Sequence, residues 1–215
     1  MQQWLVFLQV IKLNISKGEL MIIGIIGEAG VGKTTATNFF QNKGAYVIFV
    51  DKVVKHIYTL KETKKALINE FGNTFINSDK TINKIKLRYE AFQHPHILRK
   101  LENIIWPKMV KIVEEDIIRN KIHQELIVID CAVLFNANLN LLVDKILLIE
   151  AEEDKKIQRI KERDNVNDLQ VISLLNQQKK YLILNKDIDF IVKNNGTIND
   201  FIKQLQKSWK KIINK

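Results

Sequence analysis

The sequence predicts an α/β fold: a parallel five-stranded sheet with helices on both faces, a helical insertion and a helical lid. Three observations lead there. Five short apolar, β-branched runs recur along the chain, with helix-spaced segments between most of them. Each run is apolar throughout rather than alternating, as expected of strands buried on both faces. A glycine-rich loop joins the first run directly to a helical pattern, a strand–loop–helix unit.

The first strand is expected over residues 20–26 and its helix over 34–40. The turn Asn42-Lys43-Gly44 introduces a second strand at 45–50, ending at Asp51. Residues 52–120 read as almost wholly helical. Within them lie helices at 61–71, ended by Gly72-Asn73, at 82–92, at 97–105, stopped by Pro107, and at 110–120. Strands three and four fall at 125–130 and 145–150, and two helices follow at 152–163 and 166–184. A short fifth strand at 190–192 is closed by Asn194-Asn195-Gly196, and an amphipathic helix at 198–213 ends the pattern. No internal repeat or low-complexity linker interrupts it. The expected division is a core at 21–51, 108–151 and 186–215, an insertion at 52–107 that suits a substrate-binding lobe, and a lid at 152–185. Met21 immediately precedes the first strand, so residues 1–20 are expected to be an upstream extension or a loose tail.

Composition narrows the function classes. Hydrophobic residues make up 46% of the 215, enough for a full core. No apolar run approaches the ~20 residues that span a bilayer, and the patch at residues 4–8 lacks a basic start and a cleavage site. The single cysteine, Cys131, excludes an intramolecular disulfide, which fits the cytoplasm. The net charge of +10 comes from scattered lysines, with only five arginines among 34 basic residues. Aromatics are 8%. A nucleic-acid binder would cluster its basic residues and interleave aromatics, so neither a nucleic acid nor a membrane is the expected partner. A phosphate-rich small molecule draws on the same positive field. A monomer is the expected state.

Gly27-Glu28-Ala29-Gly30-Val31-Gly32-Lys33-Thr34 fits G-x-x-x-x-G-K-[ST], the phosphate-binding loop of P-loop proteins. Its glycines let backbone N–H groups turn inward around phosphate oxygens, and the helix N-terminus adds partial positive charge. Lys33 reaches the β- and γ-phosphates, and Thr34 holds Mg²⁺ through its hydroxyl. Ligands of open α/β sheets bind beyond the carboxyl ends of the strands. Asp51 and Asp130 fall there as well. Asp51 suits a base that takes the proton of an attacking hydroxyl, and also suits a helix N-cap near Lys52. Asp130 ends an apolar strand and suits a Mg²⁺-ordering carboxylate or a turn cap. Arg159 and Arg163 are spaced i,i+4 and share a helix face. They read as a phosphate clamp, or as a solvated face paired with Glu152, Glu153 and Asp164. His56, His94, His96 and His123 show no metal-ligand spacing.

From Met21 onward the chain resembles the dephospho-coenzyme A kinase family. The loop resembles the family's nucleotide loop, and residues 44–51 its second strand and acidic end. Residues 101–107 resemble its helix before a His-Pro pair, and 130–136 its Asp-x-Pro-Leu-Leu-Phe-Glu segment. Residues 159–164 resemble its Arg-x-x-x-Arg-Asp lid helix, and 189–196 its closing Ala-Asp-x-x-Ile-x-Asn-x-Gly. The resemblance implies a P-loop kinase core that transfers the ATP γ-phosphate to the ribose 3′-hydroxyl of dephospho-coenzyme A. It implies Asp51 as catalytic aspartate, Lys33, Arg159 and Arg163 at the reacting phosphates, and Thr34 and Asp130 at Mg²⁺. Nucleotide contacts are implied along 27–34, at Thr35, and from Asn194 and Gly196 near the adenine. The insertion at 52–107 would hold the acceptor.

The chain departs from that pattern mainly on the acceptor side. Phe49 stands where the family has the first aspartate of Asp-x-Asp, Trp106 where it has His, and Ala132 and Asn136 where it has Pro and Glu. Lys55 is the basic residue four past Asp51, with His56 next to it. Another small-molecule P-loop kinase, with a nucleoside or nucleotide acceptor, would share the loop and the arginines. A guanine-reading Asn-Lys-x-Asp is not matched by Asn185-Lys186-Asp187-Ile188.

Overall fold

The computed structural model describes residues 20–179 and 187–213. The expected tail up to residue 19, the end of the second lid helix at 180–184, and Asn185-Lys186 lie outside these residues. The chain divides into two compact units, one of residues up to Phe49 with those from Asp116 onward, the other Val50–Glu115.

The first unit holds the sheet. Its strands are β1 (Met21–Ile26), β2 (Tyr46–Phe49), β3 (Leu126–Asp130), β4 (Lys145–Glu150) and β5 (Phe190–Lys193). Their order is β2-β3-β1-β4-β5, with every pairing parallel. Ile22, Ile23, Ile25 and Ile26 are at most 1% exposed, so both faces of central β1 are covered. This is why the run carries no polar alternation. The helix after the glycine loop, α1 (Lys33–Gln41), buries Ala36, Phe39 and Phe40 in the same cluster as Phe201, Leu205 and Ile212. Those three belong to the last helix, which we number α8 (Ile198–Ile213). Trp209 packs edge-on against Phe40, with ring centroids 5.9 Å apart. At the other end of the sheet, Asp189 accepts from the Ile146 backbone N–H and from Lys145 Nζ, both at 2.9 Å. This carboxylate pins β5 to its register on β4, where Leu147 faces Phe190.

Register decides what the carboxyl edge presents. Asp130 pairs with Ile25 on one side and with Phe49 on the other. It therefore stands beside the strand that runs into the glycine loop and beside the strand that runs on to Asp51.

The second unit is helical: α2 (Val50–Ile57), α3 (Lys61–Phe71), a 3₁₀ turn (Gly72–Phe75), α4 (Lys84–Gln93) and most of α5 (Pro95–Asn120). Gly72 ends α3 at φ 64°, in the left-handed region that glycine enters without strain. Asn83 caps α4, its Oδ1 accepting from the Lys86 N–H at 2.9 Å. Two sequence expectations need correction here. Pro107 does not stop a helix; α5 continues through it. The ring removes one backbone hydrogen bond. Ile105, Met109, Val110 and Val113, all at most 5% exposed, bury an apolar stripe on both sides of the interruption and hold the helix together. Asp51 is also not an N-cap before Lys52. The strand passes directly into α2 at Val50, and Asp51 lies exposed in its first turn, where the helix dipole favours a carboxylate. The helices after β4 are α6 (Glu153–Asp164) and α7 (Asp168–Lys179), and they belong to the first unit.

Glu114 on α5 is 5% exposed, and its Oε1 is buried without a hydrogen bond. Burial, reinforced by neighbouring Glu115, pushes its carboxyl up to about 6. A raised carboxyl favours the folded state below the unfolded pKa of roughly 4.5 and loses that contribution as pH rises through about 6. Glu114→Gln should therefore raise the thermal midpoint at pH 7.5 and leave it near the parent value at pH 4.5. An equal shift at both pH values, followed by circular dichroism, would assign the effect to packing alone.

Candidate active site

The site is built on the six residues between β1 and α1, Gly27 to Gly32, and on the first turn of α1. Gly30 has φ 78° and Gly32 φ 100°, conformations that a side chain would strain. Space is equally restrictive. A Cβ at Gly32 would lie 2.5 Å from Asn194 Nδ2, and one at Gly30 would lie 2.7 Å from the Lys156 carbonyl oxygen. The loop is thus closed around by other segments, and its glycines are required by those approaches as much as by the turn.

Lys33 is the first residue of α1 and is half-buried. Its Nζ donates to the carbonyls of Gly27, at 2.7 Å, and Glu28, at 3.3 Å. The ammonium is held against the loop backbone by these two carbonyls. Thr34 is exposed in the first turn of α1, and Thr35 is half-buried beside it. Thr37, fully buried, donates to the Thr34 carbonyl at 2.9 Å and braces the turn that carries that hydroxyl.

Two residues from outside the loop fix its far side. Asn194, immediately after β5 and 7% exposed, donates through Nδ2 to the Val31 carbonyl at 2.8 Å. Arg159 on α6 donates to the Gly30 carbonyl at 3.2 Å and to the Asn194 carbonyl at 3.0 Å, with Asn194 Oδ1 at 3.3 Å. Arg159, Asn194 and the loop form one hydrogen-bonded unit. Arg163, one turn further along α6, is not part of it. It makes a bidentate pair with Asp164, both contacts at 2.7 Å, on the exposed side of the helix. The shared helix face thus brings Arg159, and not Arg163, to the loop. Glu152 bonds Asn195 through its backbone N–H and carboxylate, and Glu153 pairs with Lys179, so neither faces the arginines. Gly196 follows in the same turn, where a Cβ would approach Asp200 Oδ2 at 3.0 Å.

Sequence reasoning missed three contacts to the loop tip. Gln178 on α7 accepts from the Ala29 N–H at 2.6 Å. Ala29 packs against Ile160, Val171 and Leu175, a small apolar cluster between α6 and α7. Lys156 on α6 forms an ion pair with Glu28. No sequence pattern set Lys156 apart from the other lysines of this helical stretch. Nothing in the sequence pointed to Gln178.

Among the described residues no group of three or more His, Cys, Asp or Glu converges as a metal site. The Thr34 hydroxyl and the Asp130 carboxylate are oxygen donors, the donor type that suits a hard cation. Likewise, no helix among the described residues is long and apolar enough to cross a membrane.

The sequence profile of the dephospho-CoA kinases matches residues 21–200. The chain belongs to the dephospho-CoA kinase family. A dephospho-CoA kinase of Coxiella burnetii is 32% identical over 161 residues, covering 74% of this chain and 80% of that protein. One of Fusobacterium nucleatum is 29% identical over 188 residues, covering 87% and 96%. Among solved structures, TT1252 from Thermus thermophilus superposes with a TM-score of 0.73 at 19% identity, over 90% of this chain and 96% of that one. Dephospho-CoA kinase from Campylobacter jejuni gives 0.57 at 23% identity, over 91% and 98%. Both structures share the fold. As a dephospho-CoA kinase family member, the chain is a phosphotransferase with a P-loop nucleotide site.

Three of the residues that depart from the family pattern have defined structural places. Phe49 ends β2 opposite Asp130, and Trp106 is half-buried inside α5. Asn136 lies in the turn after β3 with its Oδ1 buried and without a hydrogen bond.

Gly32→Ala should cost on the order of 1–3 kcal/mol, since it adds left-handed strain and displaces the Asn194 amide. Urea unfolding would check this; an unchanged midpoint would show that the loop tolerates a side chain there.

Proposed function

We propose that the chain transfers the γ-phosphoryl group of ATP to the ribose 3′-hydroxyl of dephospho-coenzyme A, giving ADP and coenzyme A, the last step of coenzyme A synthesis. The observation that carries this is the family match over residues 21–200, together with a loop whose glycine geometry and lysine are complete. Loop N–H groups and Lys33 hold the β- and γ-phosphates. Thr34 and Asp130 would hold Mg²⁺, which would supply charge neutralisation at the phosphates. Asp51 accepts the 3′-hydroxyl proton as the new O–P bond forms and the bond to the β-phosphate oxygen breaks, releasing ADP. Little covalent work is asked of the protein, so positioning and fixed charge supply most of the acceleration. Arg159 is tied to the loop and stabilises the charge on the transferring group, joined by Arg163 when it leaves Asp164. Asn194 and Gly196 lie by the adenine. The helical insertion at 52–107 recognises dephospho-coenzyme A. The setting is cytoplasmic, in keeping with Cys131 as a buried thiol rather than a disulfide.

Two variants separate binding from chemistry. Lys33→Ala should lower kcat by about 10²-fold or more, the scale of losing one preorganised donor to a developing charge. Asp51→Asn should lower kcat by about 10²–10⁴-fold while the Kd for ATP stays within twofold. Steady-state ADP release with dephospho-coenzyme A, paired with calorimetric ATP binding, measures both. Parent-like turnover in Asp51→Asn would reduce Asp51 to a helix-end carboxylate.

A further inference from the structure

Glu28 puts a carboxylate into a loop whose purpose is to hold anions. Its side chain is only 10% exposed, so water does little to screen it. One oxygen, Oε1, is buried and makes no hydrogen bond. The other, Oε2, accepts from Lys156 Nζ. Lys156 is itself 6% exposed, an uncommon state for a lysine, and it lies on α6 three residues before Arg159. The contact between α6 and the loop is doubled at this point, because the Lys156 backbone is what a Cβ at Gly30 would strike. A cavity of about 520 Å³ opens beside the pair, lined by Glu28, Val31, Lys156, Lys179, Lys193 and Asn195.

Burying two charges is costly, and a hydrophobic pair of equal volume would often be as stable. The pair therefore has a poor explanation as a stabilising device. It has a good one as an electrostatic balance. We propose that Lys156 is a positioning residue for nucleotide binding, whose ammonium cancels the Glu28 carboxylate within the phosphate loop, so that α6 sets the potential the phosphates meet. This rests on the reading of the loop as a nucleotide phosphate site. The consequence has a sign. Removing Lys156 leaves a buried negative charge that repels phosphate. Removing the Glu28 charge leaves a buried positive charge that attracts it. A purely structural bridge would behave otherwise, since losing either partner would loosen the loop and weaken binding.

The test is calorimetric binding of ATP, ADP and AMP to the full chain, for the parent, Lys156→Met, Glu28→Gln and the double variant. The parent comes first: failure to bind ATP would overturn the loop reading itself, separately from the pair. Given parent binding, Lys156→Met should weaken ATP about ten- to hundredfold, the scale of one unscreened charge at an effective dielectric near 20. The loss should shrink from ATP through ADP to AMP as ligand charge falls. Glu28→Gln should tighten ATP binding severalfold, and the double variant should return to within about threefold of the parent. Unchanged or weaker ATP binding in Glu28→Gln, or equal losses for ATP and AMP in Lys156→Met, would overturn the proposal. Glu28→Gln is nearly isosteric and keeps the question decidable if Lys156→Met does not fold.

Discussion

A phosphate loop must hold a set of backbone N–H groups in a fixed curl with left-handed glycines, yet those glycines give it no side chains with which to hold itself. The structure here depends on how that is solved. Asn194, from the end of β5, takes the Val31 carbonyl, and Arg159, from α6, takes the Gly30 carbonyl and Asn194 together. Gln178, from α7, takes the Ala29 N–H. Three segments distant in sequence each supply one bond to the loop backbone. The loop's order is therefore a property of the whole first unit, and the sheet that places β1 beside β4 and β3 is what brings those segments within reach.

The arrangement links the loop to α6 and α7 at the level of single residues. α6 carries both the arginine that binds the loop carbonyls and the lysine that faces Glu28. The apolar cluster of Ile160, Val171 and Leu175 receives Ala29 from the loop tip. Any displacement of α6 and α7 would act on the loop through hydrogen bonds, charge and packing at once. Arg163, engaged with exposed Asp164, is outside this linkage.

Much of this was legible before the structure. Five apolar runs and a strand–loop–helix motif carried the sheet, because parallel strands leave no polar alternation and glycine leaves a fixed spacing. The placement of Asp130 at the carboxyl edge followed from its position at the end of such a run. Two misreadings had a common cause. Pro107 and the Asp51 cap were judged by local backbone chemistry, and tertiary burial along α5 and a direct strand-to-helix passage at Val50 overrode it. The loop's outside partners were the hardest to see. Lys156 and Gln178 look like any solvated helix residue in a lysine- and glutamine-rich chain, and only the fold reveals that they face a loop more than a hundred residues earlier.

The most direct measurement of the account is the identity of the product. The purified chain, Mg-ATP and dephospho-coenzyme A would be incubated together and the product examined by ³¹P NMR and mass spectrometry. One new phosphomonoester is expected, on the ribose 3′ oxygen, formed in equal amount with ADP. ADP formation without phosphorylated dephospho-coenzyme A, or a phosphoryl group on a different oxygen, would contradict it.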